Sequence, residues 1–238
     1  MVFTPIPAVD IRGGRCVRLV QGDFSRETRY ADDPTEMARH WESQGAQRLH
    51  VVDLDGARDG IRANANVIAR LIAGVSVPVQ VGGGVRSLGT ARELLEQGAD
   101  RVVVGTRAVE EPDALTDWIH VLGADHLVVG VDARDGKLAT RGWMNPTDLG
   151  VVEFCERLEG LGVRRVIYTD VGRDGLLSGP NVETTREIAR TTRLAVIGSG
   201  GVSSVEHLKA LSAAGAEGAI VGTALYEGRL SLKEAMLC

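Results

Sequence analysis

The chain has 238 residues, 30 of them glycine, with 44% apolar and only 4% aromatic side chains, enough for one large aliphatic core in a single domain spanning residues 1–238. A formal charge of −5 argues against a nucleic-acid partner, which needs a basic face to displace counterions, and no run of about 18 apolar residues offers a membrane span. Cys16, Cys155 and Cys238 are far apart without a CxxC, and the five histidines lack metal spacing, so neither a disulfide framework nor a metal site is expected.

In chain order, residues 5–10 read as a first strand, followed by Gly13-Gly14 and a hairpin through 15–23. Apolar residues recur at helical spacing over 34–43, Gly45 stops that helix, and 49–53 returns as a strand. The cycle then repeats. Helices are expected over 66–73, 88–97, 112–122, 148–161, 182–191 and 204–214, and strands over 77–81, 101–104, 127–132, 165–170, 194–197 and 219–221, with a last helix after Ser231. The strands are short continuous apolar runs, which predicts a parallel sheet covered on its outer face. Eight such β-then-α units predict an α/β fold, a (β/α)8 TIM barrel, with its chemistry on the loops at the C-terminal strand ends. An open doubly wound sheet would carry one glycine-rich turn, whereas glycines recur here at four turns.

Those turns come as two matched pairs. The shift that lays Gly82-Gly83-Gly84-Val85-Arg86-Ser87 on Ser199-Gly200-Gly201-Val202-Ser203-Ser204 also lays Gly98-Ala99-Asp100 on Gly215-Ala216-Glu217, and Val104-Gly105-Thr106 on Val221-Gly222-Thr223, without a gap. This predicts two tandem half-barrel repeats. Strand-end glycines let backbone N–H groups approach an anion, so Gly200, Gly201, Gly222 and Thr223 read as one phosphate seat. Gly83, Gly84, Gly105 and Thr106 read as a second, facing it across the mouth, and together they imply a ligand with a phosphate at each end. Tight βα turns explain any one of these glycines, but explain their pairing poorly.

Carboxylates stand at the matching strand ends. Asp10 follows the first strand of one half and Asp132 that of the other, while Asp53, Asp55 and Asp59 follow strand two and Thr169, Asp170 and Asp174 follow strand six. Acids on opposite sides of a ligand suit proton shuttling, one protonated and one ionised. N-caps or turns account for Asp33, Asp55, Asp113, Asp135 and Asp148. Trp143, in the long segment after strand five, is placed to stack on a flat ring or to pack at the surface. Arg18 and Arg86 are candidate phosphate or carboxamide contacts against a default of solvated arginine, and Trp41 and Trp118 are packing residues within helices.

With Pro7-Ala8-Val9-Asp10, Val17-Arg18-Leu19-Val20-Gln21-Gly22-Asp23, Val52-Asp53-Leu54-Asp55-Gly56-Ala57, the glycine motifs, Gly142-Trp143 and Val221-Gly222-Thr223-Ala224-Leu225-Tyr226, essentially the whole chain resembles the phosphoribosylformimino aminoimidazole carboxamide ribonucleotide isomerases of histidine biosynthesis. The resemblance implies an Amadori rearrangement of a bisphosphorylated aminoaldose to an aminoketose, without metal or organic cofactor; separately, an N-terminus with no basic region or long apolar run predicts a cytoplasmic protein, expected to be a monomer. The resemblance also implies catalytic roles for Asp10, Asp132 and Asp174, with Asp10 as base, support from Thr169, and substrate contacts from Arg18 and Trp143. Arg173-Asp174-Gly175 stands where the family often has Lys-Asp-Gly, a departure that keeps the acid. Three alternatives share much of this pattern: the cyclase subunit of imidazole glycerol phosphate synthase, a dual-substrate isomerase that also takes phosphoribosylanthranilate, and a non-catalytic bisphosphate-binding barrel. The cyclase usually begins Cys-Leu-Asp with a lysine-bearing Val-Val-Lys-Gly, unlike Ala8-Val9-Asp10 and Val17-Arg18-Leu19-Val20.

Overall fold

The structure, a computed structural model, describes residues 3–140 and 145–238. Its strands are β1 (Thr4–Arg12), β2 (Arg15–Val20), β3 (Asp23–Ala31), β4 (Leu49–Asp53), β5 (Val79–Gly82), β6 (Arg101–Val104), β7 (Leu127–Arg134), β8 (Lys137–Thr140), β9 (Asn145–Gly150), β10 (Arg165–Asp170), β11 (Ala195–Ser199) and β12 (Gly218–Val221). Eight of them close a ring of parallel neighbours, β1-β4-β5-β6-β7-β10-β11-β12 and back to β1, with helices between successive strands. This is a (β/α)8 barrel. The other four are antiparallel arms: β2 and β3 continue from β1, and β8 and β9 from β7. Both arms fold back through turns with two successive left-handed residues, Gly13 and Gly14 at φ 53° and 78°, and Asp135 and Gly136 at φ 52° and 77°, the geometry that matches strand twist in two-residue hairpins.

Local signals explain the elements. Asp33 caps the helix Pro34–Ser43 by accepting from the Thr35 N–H at 2.8 Å, Pro34 fits the first turn where no N–H is required, and Gly45 at φ 98° turns the chain out. Alternation along each strand builds two cores. Leu49 and Val51 of β4 pack with Ile68 and Leu71 of the helix Ala65–Ala73 in the large layer between barrel and helices. Ile6, Ala8, Val128, Ile167, Ile197 and Ile220 form a second, smaller cluster that fills the barrel interior. Both faces are therefore apolar, which is why the strands read as continuous runs.

Short helices at Leu54–Asp59, Thr106–Glu110 and Thr223–Tyr226 and the strand Lys137–Thr140 were not expected, and three expected elements differ in extent. The helix expected from 148 begins at Val151, because Asn145–Gly150 forms β9 against β8. The first turn of the helix expected over 112–122 is a separate 3-10 turn at Pro112–Ala114. The hairpin expected to end at residue 23 continues to Ala31, and its outer arm is largely exposed. Trp41 and Trp118 pack in the large core, as expected.

Candidate active site

The site lies where the strand order brings loops together. Pairs β5/β6 and β11/β12 stand diametrically opposite in the eight-membered ring, and their glycine loops repeat one geometry. Gly83 and Gly84 have φ of 91° and 76°, and Gly200 and Gly201 have 90° and 79°. Gly105 (φ −102°, ψ −98°) and Gly222 (φ −111°, ψ −103°) match likewise. A β-carbon at Gly83 would collide with the Asp53 carbonyl, and one at Gly200 would lie 2.6 Å from the Asp170 carbonyl, so the positive φ and the close approach together require glycine. Ser87 and Ser204 then cap the following helices through the N–H groups of Thr90 and His207.

Between these loops is a cavity of about 230 Å³ lined by Asp10, Arg18, His50, Asp132, Thr169 and Asp174, with Gly83, Gly84, Gly105 and Thr106 on one side. A smaller space of about 20 Å³ adjoins it, lined by Gly200, Gly201, Gly222 and Thr223. Arg18, Asp174, Ser199 and Ile220 border both. Every site residue expected from the sequence is thus brought to one mouth, except Trp143, which lies outside the described residues.

Arg18 is the organising cation. The hairpin turns β2 back beside β1, and Arg18 Nη1 donates to Asp10 Oδ2 at 2.7 Å. Its guanidinium packs so closely over Gly222 that any β-carbon there would collide with it. The default of a solvated arginine is corrected here: Arg18 is buried, with its Nε lacking a hydrogen-bond partner. Arg86 is exposed at the cavity rim, its guanidinium packed over Gly60. Burial raises Asp10 above the ordinary carboxylate range against the opposing pull of Arg18. Burial also raises Asp174, to about 6; Arg18 opposes the rise, and the like charges of Asp10 and Asp132 add to it. Asp132 and Thr169 are register partners on adjacent strands.

Two other acids at strand ends serve the scaffold. Asp53 is fully buried, accepting from the Gly56 N–H at 2.9 Å and from Asn64 Nδ2 at 2.7 Å. Asp170 accepts from Asn181 Nδ2 at 2.8 Å, the corresponding contact in the other half. Asp55 accepts from the Gly13 N–H and from Asn64.

Sequence reasoning missed His50 and Phe24. Alternation turns His50 into the barrel, where Gln80 Nε2 lies 3.0 Å from its Nδ1; burial and the Arg18 charge push the imidazole down to about 3, so it stays neutral. A histidine interrupting the apolar run Leu49–Asp53 was the available signal. Phe24 lines the cavity, with the guanidinium groups of Arg12 and Arg58 each 5.1 Å from its ring; nothing in its local sequence marked it, because the residues that hold it are remote in the chain.

The fold and the site define a (β/α)8 barrel of the kind that works at its C-terminal strand ends, with acids set between two glycine loops. Comparison with known proteins is specific: the chain belongs to the histidine biosynthesis protein family, whose model matches residues 5–231. A protein of Dehalococcoides mccartyi named 1-(5-phosphoribosyl)-5-((5-phosphoribosylamino)methylideneamino) imidazole-4-carboxamide isomerase is 52% identical over 230 residues, covering 97% of both chains. Proteins of the same name from Roseiflexus sp. and Roseiflexus castenholzii are 49% and 50% identical over 231 residues, again covering 97% of both chains.

Proposed function

We propose that this chain is an intramolecular aldose–ketose isomerase, converting the phosphoribosyl-formimino-aminoimidazole carboxamide ribonucleotide to its phosphoribulosyl form by an Amadori rearrangement in histidine biosynthesis. Full-length similarity to isomerases of that name supports the reaction. The observation that carries the residue roles is the pairing of Asp10 with Arg18 opposite Asp174 in one cavity. Asp174, titrating near 6, suits the acid that protonates the furanose ring oxygen; the C1–O bond then breaks and the amine nitrogen becomes part of a Schiff base. Asp10, kept beside a cation, suits the base that takes the C2 proton, giving an enaminol. Proton return at C1 and loss of the C2 hydroxyl proton complete the aminoketose. Asp132 and Thr169 would hold hydroxyl groups near these acids, Arg18 and Trp143 would contact substrate, and the two glycine loops would each seat a phosphate.

We take the enzyme to act as a cytoplasmic monomer without nucleic acid. A net charge of −5 supports the lack of a nucleic-acid partner, and among the described residues no helix is long and apolar enough to cross a membrane. The test is turnover of the named substrate by purified protein beside Asp10→Asn and Asp174→Asn. Each substitution is expected to lower kcat by about 100- to 10,000-fold. An inert wild type overturns the reaction; wild-type turnover by both variants overturns the acid–base roles.

A further inference from the structure

Gln21-Gly22-Asp23 closes the turn between β2 and β3, and the reaction outlined above uses none of it. Gln21 has φ of 52°, a left-handed conformation that residues with a β-carbon adopt rarely and that persists only where surrounding contacts enforce it. Here the contacts come from across the mouth. The Gln21 N–H donates to the Asp174 carbonyl at 3.1 Å, and Gln21 Nε2 donates to the Gly172 carbonyl at 2.9 Å. Both acceptors belong to the loop after β10 that carries Asp174.

The two segments are also in close contact. Gly175 has φ of 71°, and a β-carbon there would lie 3.0 Å from the Leu19 carbonyl and 3.1 Å from Val20 Cα. The loop's own support beside Asp174 is weaker, since the Asp174 N–H reaches the Val171 carbonyl at 3.4 Å, a long bond.

We propose that Gln21 is a positioning residue whose two hydrogen bonds latch the hairpin to the loop after β10 and hold the Asp174 carboxyl opposite Asp10 and Arg18. The inference rests on the acid role proposed for Asp174. The charged groups that face Asp174 are Arg18 from β2, Asp10 from β1 and Asp132 from β7. Releasing the loop carries the carboxyl away from all three and toward water, which returns its titration toward the ordinary carboxylate range.

Gln21→Gly keeps the backbone donor, relieves the left-handed strain and removes only the side-chain bond, so folding is retained. Gln21→Glu keeps the size but replaces the donor with an acceptor facing the Gly172 carbonyl. In both variants kcat is expected to fall about three- to tenfold with a smaller change in KM, consistent with loss of one positioning hydrogen bond. In the substrate-free protein, carboxyl 13C NMR should show Asp174 titrating at lower pH in Gln21→Gly, where no new charge is added, and amide hydrogen exchange should quicken at residues 173–176 in both variants. Unchanged titration in Gln21→Gly and unchanged exchange in both variants overturn the latch, whatever their activity. If titration and exchange move as expected but Asp174→Asn retains wild-type turnover, the latch stands and the acid role falls.

Discussion

Asp174 places reactivity and stability in opposition. Its carboxyl is raised to about 6 from 3.8, so between those values the folded state holds a proton that the unfolded chain has released. Stability therefore falls as pH rises through that window, and the full cost is present above about 6. Asp174→Asn should raise the thermal midpoint at pH 8 by on the order of 3 °C, with the gain shrinking through pH 6 and gone near pH 4; calorimetry across that range checks it. Removing Asp10 should act on the same group differently, because it deletes a like charge and frees Arg18 to approach Asp174. The acids themselves were legible in the sequence, because each lies at or after the end of an apolar strand and Asp10 and Asp132 stand at matching positions of the two halves. Their electrostatics were not: the burial of Arg18, its bond to Asp10 and the neutral His50 all depend on which strands the ring makes neighbours.

The glycine loops show which constraints belong to an element. Gly200 is held by positive φ and by the backbone of Asp170, neither of which can yield, so Gly200→Ala should cost about 2–4 kcal/mol of stability. At Gly222 φ is negative and the obstacle is the end of the Arg18 side chain. Gly222→Ala should therefore leave stability within about 1 kcal/mol while displacing the guanidinium, lowering kcat/KM by roughly 10-fold or more. Urea unfolding and steady-state kinetics on the two variants separate these outcomes. The pairing of these loops was readable because their shapes depend on glycine, which leaves a mark in sequence. The outer hairpin arm and β8–β9 were harder to read: β3 is exposed, so its pattern lacks the apolar run that identifies a barrel strand, and β9 contains Pro146, Asp148 and Gly150, residues that ordinarily signal a turn.

Across the molecule, pairing of β1 with β12 and of β6 with β7 joins the two halves of the chain around one continuous core. Leu158→Ala, a fully buried site in the second half, should cost about 2–5 kcal/mol. In a Trp143→Phe background, which leaves Trp41 and Trp118 of the first half as the fluorophores, the lowered midpoint should be the same by tryptophan fluorescence and by far-ultraviolet circular dichroism. Two midpoints would mean that the halves unfold separately. Ring closure was legible from the count of β-then-α units. The polar His50–Gln80 pair on β4 and β5, sharing the barrel interior with aliphatic side chains, was not, since one histidine in an apolar run does not reveal which way it points. Closure also sets a condition on when catalysis can begin. Arg18 rises from the start of the chain and is confined by Gly222 near its end, so a fragment interrupted before Gly222 carries all three acids but lacks the wall that fixes their counterion. Partial products that stop before Gly222 should therefore be silent even though they carry all three acids.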